Sequence, residues 1–249
     1  MTKVAIMQPT YLPWLGYFAL IDAVDTFVFL DSVQFDRRSW QQRNRIIGAN
    51  ASMWLTVPVQ SKGNYTKDIA NILIDPSAKF QHKHVRSIQM AYSKAPYFDN
   101  YGKAVCDTLC KQHTHLADFT IDLISEISNM LGIKTHFQRS SKLSASGDKA
   151  DLLAGICDEL NADQYISPTG SASYLEQSDA FTNRGVKVLY NEYNHPQYRQ
   201  LGDTFEPYMS VIDLLFNEGP ASLKIIRSGM SLCAAEIYKK RLEIENTTT

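Results

Sequence analysis

The chain has 249 residues, of which 44% are hydrophobic and 11% aromatic, enough to bury a sizeable core in one large α/β domain or two small ones. Its 25 Lys and Arg nearly cancel 26 Asp and Glu, leaving a formal net charge of -1. That balance argues against a nucleic-acid or membrane-surface binder driven by overall charge, while leaving room for a local basic patch. Gln8, Pro9 and Pro13 interrupt the apolar N-terminus, so it does not read as a signal peptide. No run approaches the roughly 18 apolar residues of a membrane span. Cys106, Cys110, Cys157 and Cys233 show no CxxC spacing, which suits a reducing compartment. The expectation is a cytoplasmic protein without membrane insertion.

KVAIM at residues 3–7 reads as a buried strand ending at a Gln-Pro turn. After the loop QPTYLPW, LGYFALIDAV has helical spacing, and the β-branched and aromatic run TFVFLDSV reads as a second strand ending at Asp31. Strand, loop, helix, strand in this order predicts a parallel βαβ unit, with the loop and Asp31 at the C-terminal sheet edge where open α/β sheets bind ligands. SMWLTVPV and DIANILI are further strand candidates. Residues of about 80–131 turn helical: HKHVRSIQMAYSKA, Tyr101–Gln112, then LADFTIDLISEISNMLG with Gly132 as C-cap. IKTHFQRSS, QYISP and GVKVLYNEY read as strands. DKADLLAGICDELNA and VIDLLFNEG read as helices, the latter N-capped by Ser210. The fold class is therefore α/β, a Rossmann-like parallel-sheet core with a helical insertion and a mostly helical middle. Residues 1–249 form a single domain with a tail frayed from about 242.

The opening loop gathers Gln8, Tyr11, Trp14, Gly16 and Tyr17 where a strand hands over to a helix. Two prolines stiffen it, Gly16 permits close approach, and rings with an amide suit a flat polar ligand such as a base or sugar. The plainer alternative is that Tyr11, Trp14 and Tyr17 pack beneath the sheet. Neither GxGxxG nor a Walker A motif is present. From Asp31 to Ile46 follow Gln34, Arg37, Arg38, Trp40, Arg43, Asn44 and Arg45, the densest basic cluster in the chain. Guanidinium forks suit diphosphates or carboxylates; a solvated basic turn is the alternative. Ser167, Ser171 and Tyr174 lie in or beside a small-residue loop that can hold phosphate or sugar hydroxyls through backbone N–H groups, or simply turn the chain. Cys106, Cys110 and His113 share a region but favour an ordinary helical core over structural zinc, and no metal site is expected.

QPTYLPWLGYF, then FVFLDSVQFDRRSWQQRNRI and WLTVPV, resemble the opening of the WbqC-like family. KHVRSIQMAYSKAPYF, MLGIKT, the YIS-x-x-G-SASYL stretch and HPQYRQLGDTFEPYMSVIDLLFNEG extend the resemblance over most of residues 3–219. Pro168 departs from it, where glycine is expected. The resemblance implies a transferase of O-antigen or related lipopolysaccharide and surface-polysaccharide biosynthesis. Its reaction would attach an acyl or aminoacyl group, such as glycyl, to a nucleotide-linked amino sugar. The donor is an acyl-CoA, an acyl carrier protein or an aminoacyl-tRNA. N-acylation needs a diphosphate site, a base for the ammonium proton and donors to the carbonyl oxygen. The arginine cluster suits the first, His84 or Asp31 the second, with His84 favoured for its near-neutral pKa, and Tyr97, Asn44 or Gln8 the third. Two other classes stay open: nucleotidyl transfer or ATP-dependent activation, and a non-catalytic partner in polysaccharide assembly.

Overall fold

The computed structural model describes residues 1–48, 51–60 and 66–247. The first unit is the expected one: β1 (Lys3–Met7), α1 (Leu15–Asp22) and β2 (Thr26–Phe29), with β1 and β2 parallel. Strands β3 (Arg43–Ile47) and β4 (Ser52–Thr56) follow, then helices α2 (Phe80–Tyr92), α3 (Phe98–Cys110) and α4 (Leu116–Leu131) fill the helical middle. Gly132 ends α4 at φ 79°, in the left-handed region a C-cap glycine serves. Next come β5 (His136–Arg139), α5 (Lys149–Glu159), β6 (Gln164–Pro168), α6 (Ala172–Leu175) and β7 (Lys187–Asn191). The last elements are α7 (Val211–Glu218), α8 (Ser222–Ser228), β8 (Leu232–Ala234) and α9 (Ala235–Thr247).

Six strands form one sheet in the order β5-β2-β1-β6-β7-β8, parallel except for β8, which pairs antiparallel with β7. The chain therefore builds outward from β1 to one edge, returns to β6 beside β1, and builds to the other edge. That is the Rossmann-like arrangement, with its topological switch between the C-terminal ends of β1 and β6. Side-chain alternation gives the sheet two cores. Ala5, Phe27 and Phe29 face α1, α4 and α7, while Val4, Ile6 and Val28 face α5.

Three expectations need correcting. SMWLTVPV is a strand, but β4 pairs only with β3 in a separate antiparallel hairpin. DIANILI is no strand: Ile69–Asn71 forms a 3-10 turn, and only isolated bridges at Leu73 and Ile74 extend beyond it. The tail expected to fray from about 242 continues as α9 to Thr247, and its last two residues lie outside those described. No helix among the described residues is long and apolar enough to cross a membrane.

The end of β2 is fixed by charge. Asp31 is fully buried and accepts hydrogen bonds from Arg139 Nε at 2.6 Å, from the Ser141 N–H and hydroxyl at 2.9 Å each, and from the Ser140 hydroxyl at 3.2 Å. Arg139 spans on to Asp118 at 2.5 Å, tying β2, β5 and α4 together. Removing the Asp31 carboxylate leaves Arg139 with Asp118 alone and strips an acceptor from Ser140 and Ser141, so Asp31→Ala is expected to lose about 2 kcal/mol in urea denaturation. An unchanged urea midpoint would show that this cluster does not hold the β2–β5 edge.

Candidate functional site

The residues after β1 make no regular structure, yet Tyr11 and Leu12 are fully buried. Their polar groups find distant partners, as buried backbone must. The Tyr11 N–H donates to Trp40 O at 3.0 Å, Asn44 Nδ2 donates to Leu12 O at 2.7 Å, and the Val211 N–H donates to Pro13 O at 2.8 Å. The Tyr17 hydroxyl donates back to Gln8 O, and Gln41 donates to the Gln8 side chain. Leu12 is held at φ 45°, a conformation that side chains adopt at a cost and that clusters at functional sites. Arg38 and Tyr208, on the neighbouring loops, share that strained region.

These ties shape a cavity of about 360 Å³, bounded by Met7, Thr10, Pro13, Trp14, Tyr17, Trp40, Asn44, Arg45 and Tyr208. It lies at the C-terminal end of β1, beside the switch point. Larger hollows, of about 580, 560 and 450 Å³, lie elsewhere. The first sits between the Asp75 turn and His113, away from the sheet edge. The second contains Arg139, whose charge is already matched by Asp31 and Asp118. The smaller cavity is the better binding site because rings wall it and its cation is unmatched.

Trp14 is its best-supported wall. Its indole lies over Gly16, where an added Cβ would come within 2.3 Å of the ring. On its other sides it meets Tyr193 edge-on at 5.3 Å, His195 stacked at 6.0 Å and Tyr208 at 5.5 Å. His195 accepts the Tyr208 N–H at Nε2 and therefore donates from Nδ1 to Pro196 O. Burial lowers its pKa, so it packs as a neutral ring. Arg45 lines the same cavity. Its Nε is buried without a partner, and it makes no ion pair with any described carboxylate.

The structure thus brings Trp14, Tyr17, Trp40, Asn44 and Arg45 together, with Gly16, Tyr11 and Gln8 in support. It does not bring in the others. Gln34, Arg37 and Arg38 are exposed on the turn before Trp40. Tyr97 packs its ring on Gly219, and its N–H donates to Phe216 O, which places it beside α7 and outside the cavity lining. Asn44, within the lining, gives one amide N–H to Leu12 O and accepts the Arg45 N–H. Ser167 and Ser171 bond one another at the end of β6, Ser171 also donating to Pro168 O, and Tyr174 borders that group in α6. Ser210 does precede α7, but its hydroxyl makes no cap bond. Cys106 is buried while Cys110 is exposed, and His113 pairs with Asp122. No cluster of three or more potential metal ligands occurs among the described residues.

Neither expected base is free to act as one. Asp31 is saturated in its ionic cluster. His84 is buried under the loop, its Nδ1 2.8 Å from the Tyr11 hydroxyl and its ring against Phe80. A hydrogen bond to the Thr56 backbone favours the protonated ring, but burial outweighs it and pushes the pKa down to about 4. His84 is a neutral strut between α2 and Tyr11. Met7, Thr10, Tyr193, His195 and Tyr208 went unassigned in the sequence. Thr10 lies in the family-like stretch QPTYLPWLGYF and His195 and Tyr208 in the one that begins at His195, but neither stretch carries a motif that assigns a role.

Two substitutions check this geometry. An unfolded histidine titrates near 6.5, whereas folded His84 resists protonation to about 4. Between these values the unfolded chain binds more protons, so His84's share of stability is present above the window and is lost as pH falls through it. Comparing pH 7.5 with pH 5, wild type is expected to lose about 2 kcal/mol more than His84→Gln in urea denaturation. Equal losses would refute the buried neutral ring. Gly16→Ala forces the Trp14 indole off its seat while favouring the helix, so indole emission should shift to the red with helical circular dichroism retained.

A family model described as the WbqC-like protein family matches residues 8–225. The uncharacterised protein Rv1507c of Mycobacterium tuberculosis is 35% identical over 229 residues, covering 91% of this chain and 98% of its own length. A stretch of 123 residues is 25% identical to the endonuclease MutS2 of Streptococcus pyogenes and of Streptococcus agalactiae, but it covers 48% of this chain and 15% of those proteins. No solved structure gives a significant match. The family model spans the cavity loop, the hairpin, the helical middle and α7, and on that match the chain belongs to the WbqC-like family.

Proposed function

We propose that this protein is a transferase of surface-polysaccharide (O-antigen) biosynthesis that attaches an acyl or aminoacyl group to a nucleotide-linked amino sugar in the cytoplasm. The observation that carries the binding half is the unpaired Arg45 guanidinium in a cavity walled by Trp14, Tyr17, Trp40 and Tyr208. Aromatic faces suit the C–H faces of a sugar ring or the plane of a base, and a guanidinium suits a diphosphate. The position at the β1 end is where open α/β sheets hold such ligands.

The transfer half rests on family membership and chemistry. The sugar's amine attacks the donor carbonyl, the C–N bond forms, the thioester or ester bond breaks, and the departing thiolate or alkoxide carries off the amine proton. The cavity lining contains no carboxylate or imidazole. The chain's own contribution is then to bind and orient the acceptor, a route that supplies large rate gains when the geometry is fixed. The donor remains one of the three activated forms: acyl-CoA, acyl carrier protein or aminoacyl-tRNA.

Thermal shift separates the classes, because a ligand that binds the native state raises its stability. At about one hundred times its Kd, a uridine-diphosphate amino sugar should raise Tm by roughly 5–10 °C. Arg45→Ala should remove most of that shift. Stabilisation by ATP alone would replace this reading with nucleotidyl transfer or ATP-dependent activation. Stabilisation by neither would leave a non-catalytic partner in assembly.

A further inference from the structure

Trp54 has no part in the cavity, yet both of its principal neighbours do. Trp40 lines the cavity and lies 5.4 Å from Trp54, ring centre to ring centre, at 37°. Arg45 also lines the cavity, and in the β3–β4 hairpin it pairs directly across from Trp54. Its guanidinium is 5.9 Å from the indole centre, and Arg43, two residues earlier on the same face, is 4.4 Å from it. An aromatic surface therefore runs without a break from the cavity, through Trp40, to Trp54. Two guanidiniums flank it, and neither is paired with a described carboxylate.

That surface stands open. Trp40 is 49% exposed and Trp54 45%. An indole left this far in water forgoes about half of the gain from burying it, so two adjoining ones make an unusual feature. The cavity itself, at about 360 Å³, lies near the small end of ligand pockets, which run roughly 300–1,000 Å³. It accepts a sugar ring and phosphate but not a whole nucleotide-linked sugar. The remainder must lie outside, and the flat aromatic exit beside two cations is at Trp54.

We infer that Trp54 is the stacking platform for the nucleobase of a nucleotide-linked substrate, with Arg43 and Arg45 flanking its diphosphate and the sugar inside the Trp14 cavity. This rests on the proposed function and adds the direction in which the substrate lies. Base stacking on an aromatic side chain tolerates any base, so the platform selects for the presence of a nucleotide more than for its identity.

Isothermal calorimetry on the full chain tests the assignment with two probes, uridine diphosphate and glucosamine 1-phosphate. Trp54→Ala should weaken uridine diphosphate by roughly 5- to 100-fold, leave glucosamine 1-phosphate within about twofold, and Trp54→Phe should restore most of the loss. Equal affinity of wild type and Trp54→Ala for uridine diphosphate overturns the platform and leaves the proposed function intact. So does wild-type binding of glucosamine 1-phosphate without uridine diphosphate. Equal loss of both probes in Trp54→Ala overturns it too, since the residue then supports the cavity as a whole. Binding of neither probe by wild type overturns the platform and the proposed function together. A CCA-ended single-stranded RNA bound more tightly than uridine diphosphate, and through Trp54, overturns the platform as a substrate subsite and makes it an RNA contact.

Discussion

Between Gln8 and Trp14 the chain has left the sheet and has not yet entered a helix, and its buried backbone groups still require partners. They are supplied by Trp40, on the turn that leads into the hairpin, by Asn44 of β3 and by Val211 of α7. Tyr11 adds a side-chain bond to α2 through His84. One irregular stretch therefore sets where the hairpin, α7 and α2 sit. The hairpin is not part of the main sheet and gains its position through this loop. The strain at Leu12 is tolerable because so many contacts over-determine its place. Prolines on either side limit the unfolded alternatives as well.

The elements that local periodicity could show were legible. Strands β1, β2, β5, β6 and β7 and helices α1 to α5 and α7 all follow from apolar spacing and terminal signals. The hairpin was half visible. RNRII alternates polar and apolar residues as a half-buried strand does, but its arginines drew the reading toward a basic turn. DIANILI carried strand-like residues, yet no neighbouring strand takes it up, and packing onto α4 decides its shape. Strand order was beyond local pattern, because β1 meets β6 across 161 residues and nothing nearby announces the pairing.

Site residues chosen by type fared differently from those chosen by place. The loop was selected because a strand hands over to a helix there, and Trp14, Tyr17 and Gly16 do shape the cavity. His84 was favoured for a pKa near neutrality, a property of the free side chain that burial removes. Asp31 was placed rightly at the sheet edge, but its partners Arg139, Ser140 and Ser141 lie more than a hundred residues away. The arginine cluster divided by strand geometry. Arg43 and Arg45, two apart on β3, point to one face beside Trp54, while Arg37 and Arg38 stay on the exposed turn.

Beneath the cavity the polar balance is incomplete in a directed way. Of six buried side-chain atoms lacking partners among the described residues, three are Arg45 Nε, Ser210 Oγ and Asp213 Oδ1. They are linked in space, since the Ser210 N–H donates to Arg45 O and Asp213 lies one helical turn beyond Ser210. Asp213 spends its other oxygen on the Tyr198 hydroxyl and Gln200 amide, both at 2.7 Å, and so ties down the segment that carries His195 and Tyr208 to the cavity. Burial raises its pKa against those donors. Had Asp213 paired with Arg45, the guanidinium would be neutralised and the cavity would lose its attraction for phosphate. Holding the carboxylate to the strap and the guanidinium to the cavity leaves one uncompensated cation where a diphosphate would supply the missing charge. The unsatisfied atoms are where a bound anion gains most, because it meets a donor that the fold has already desolvated.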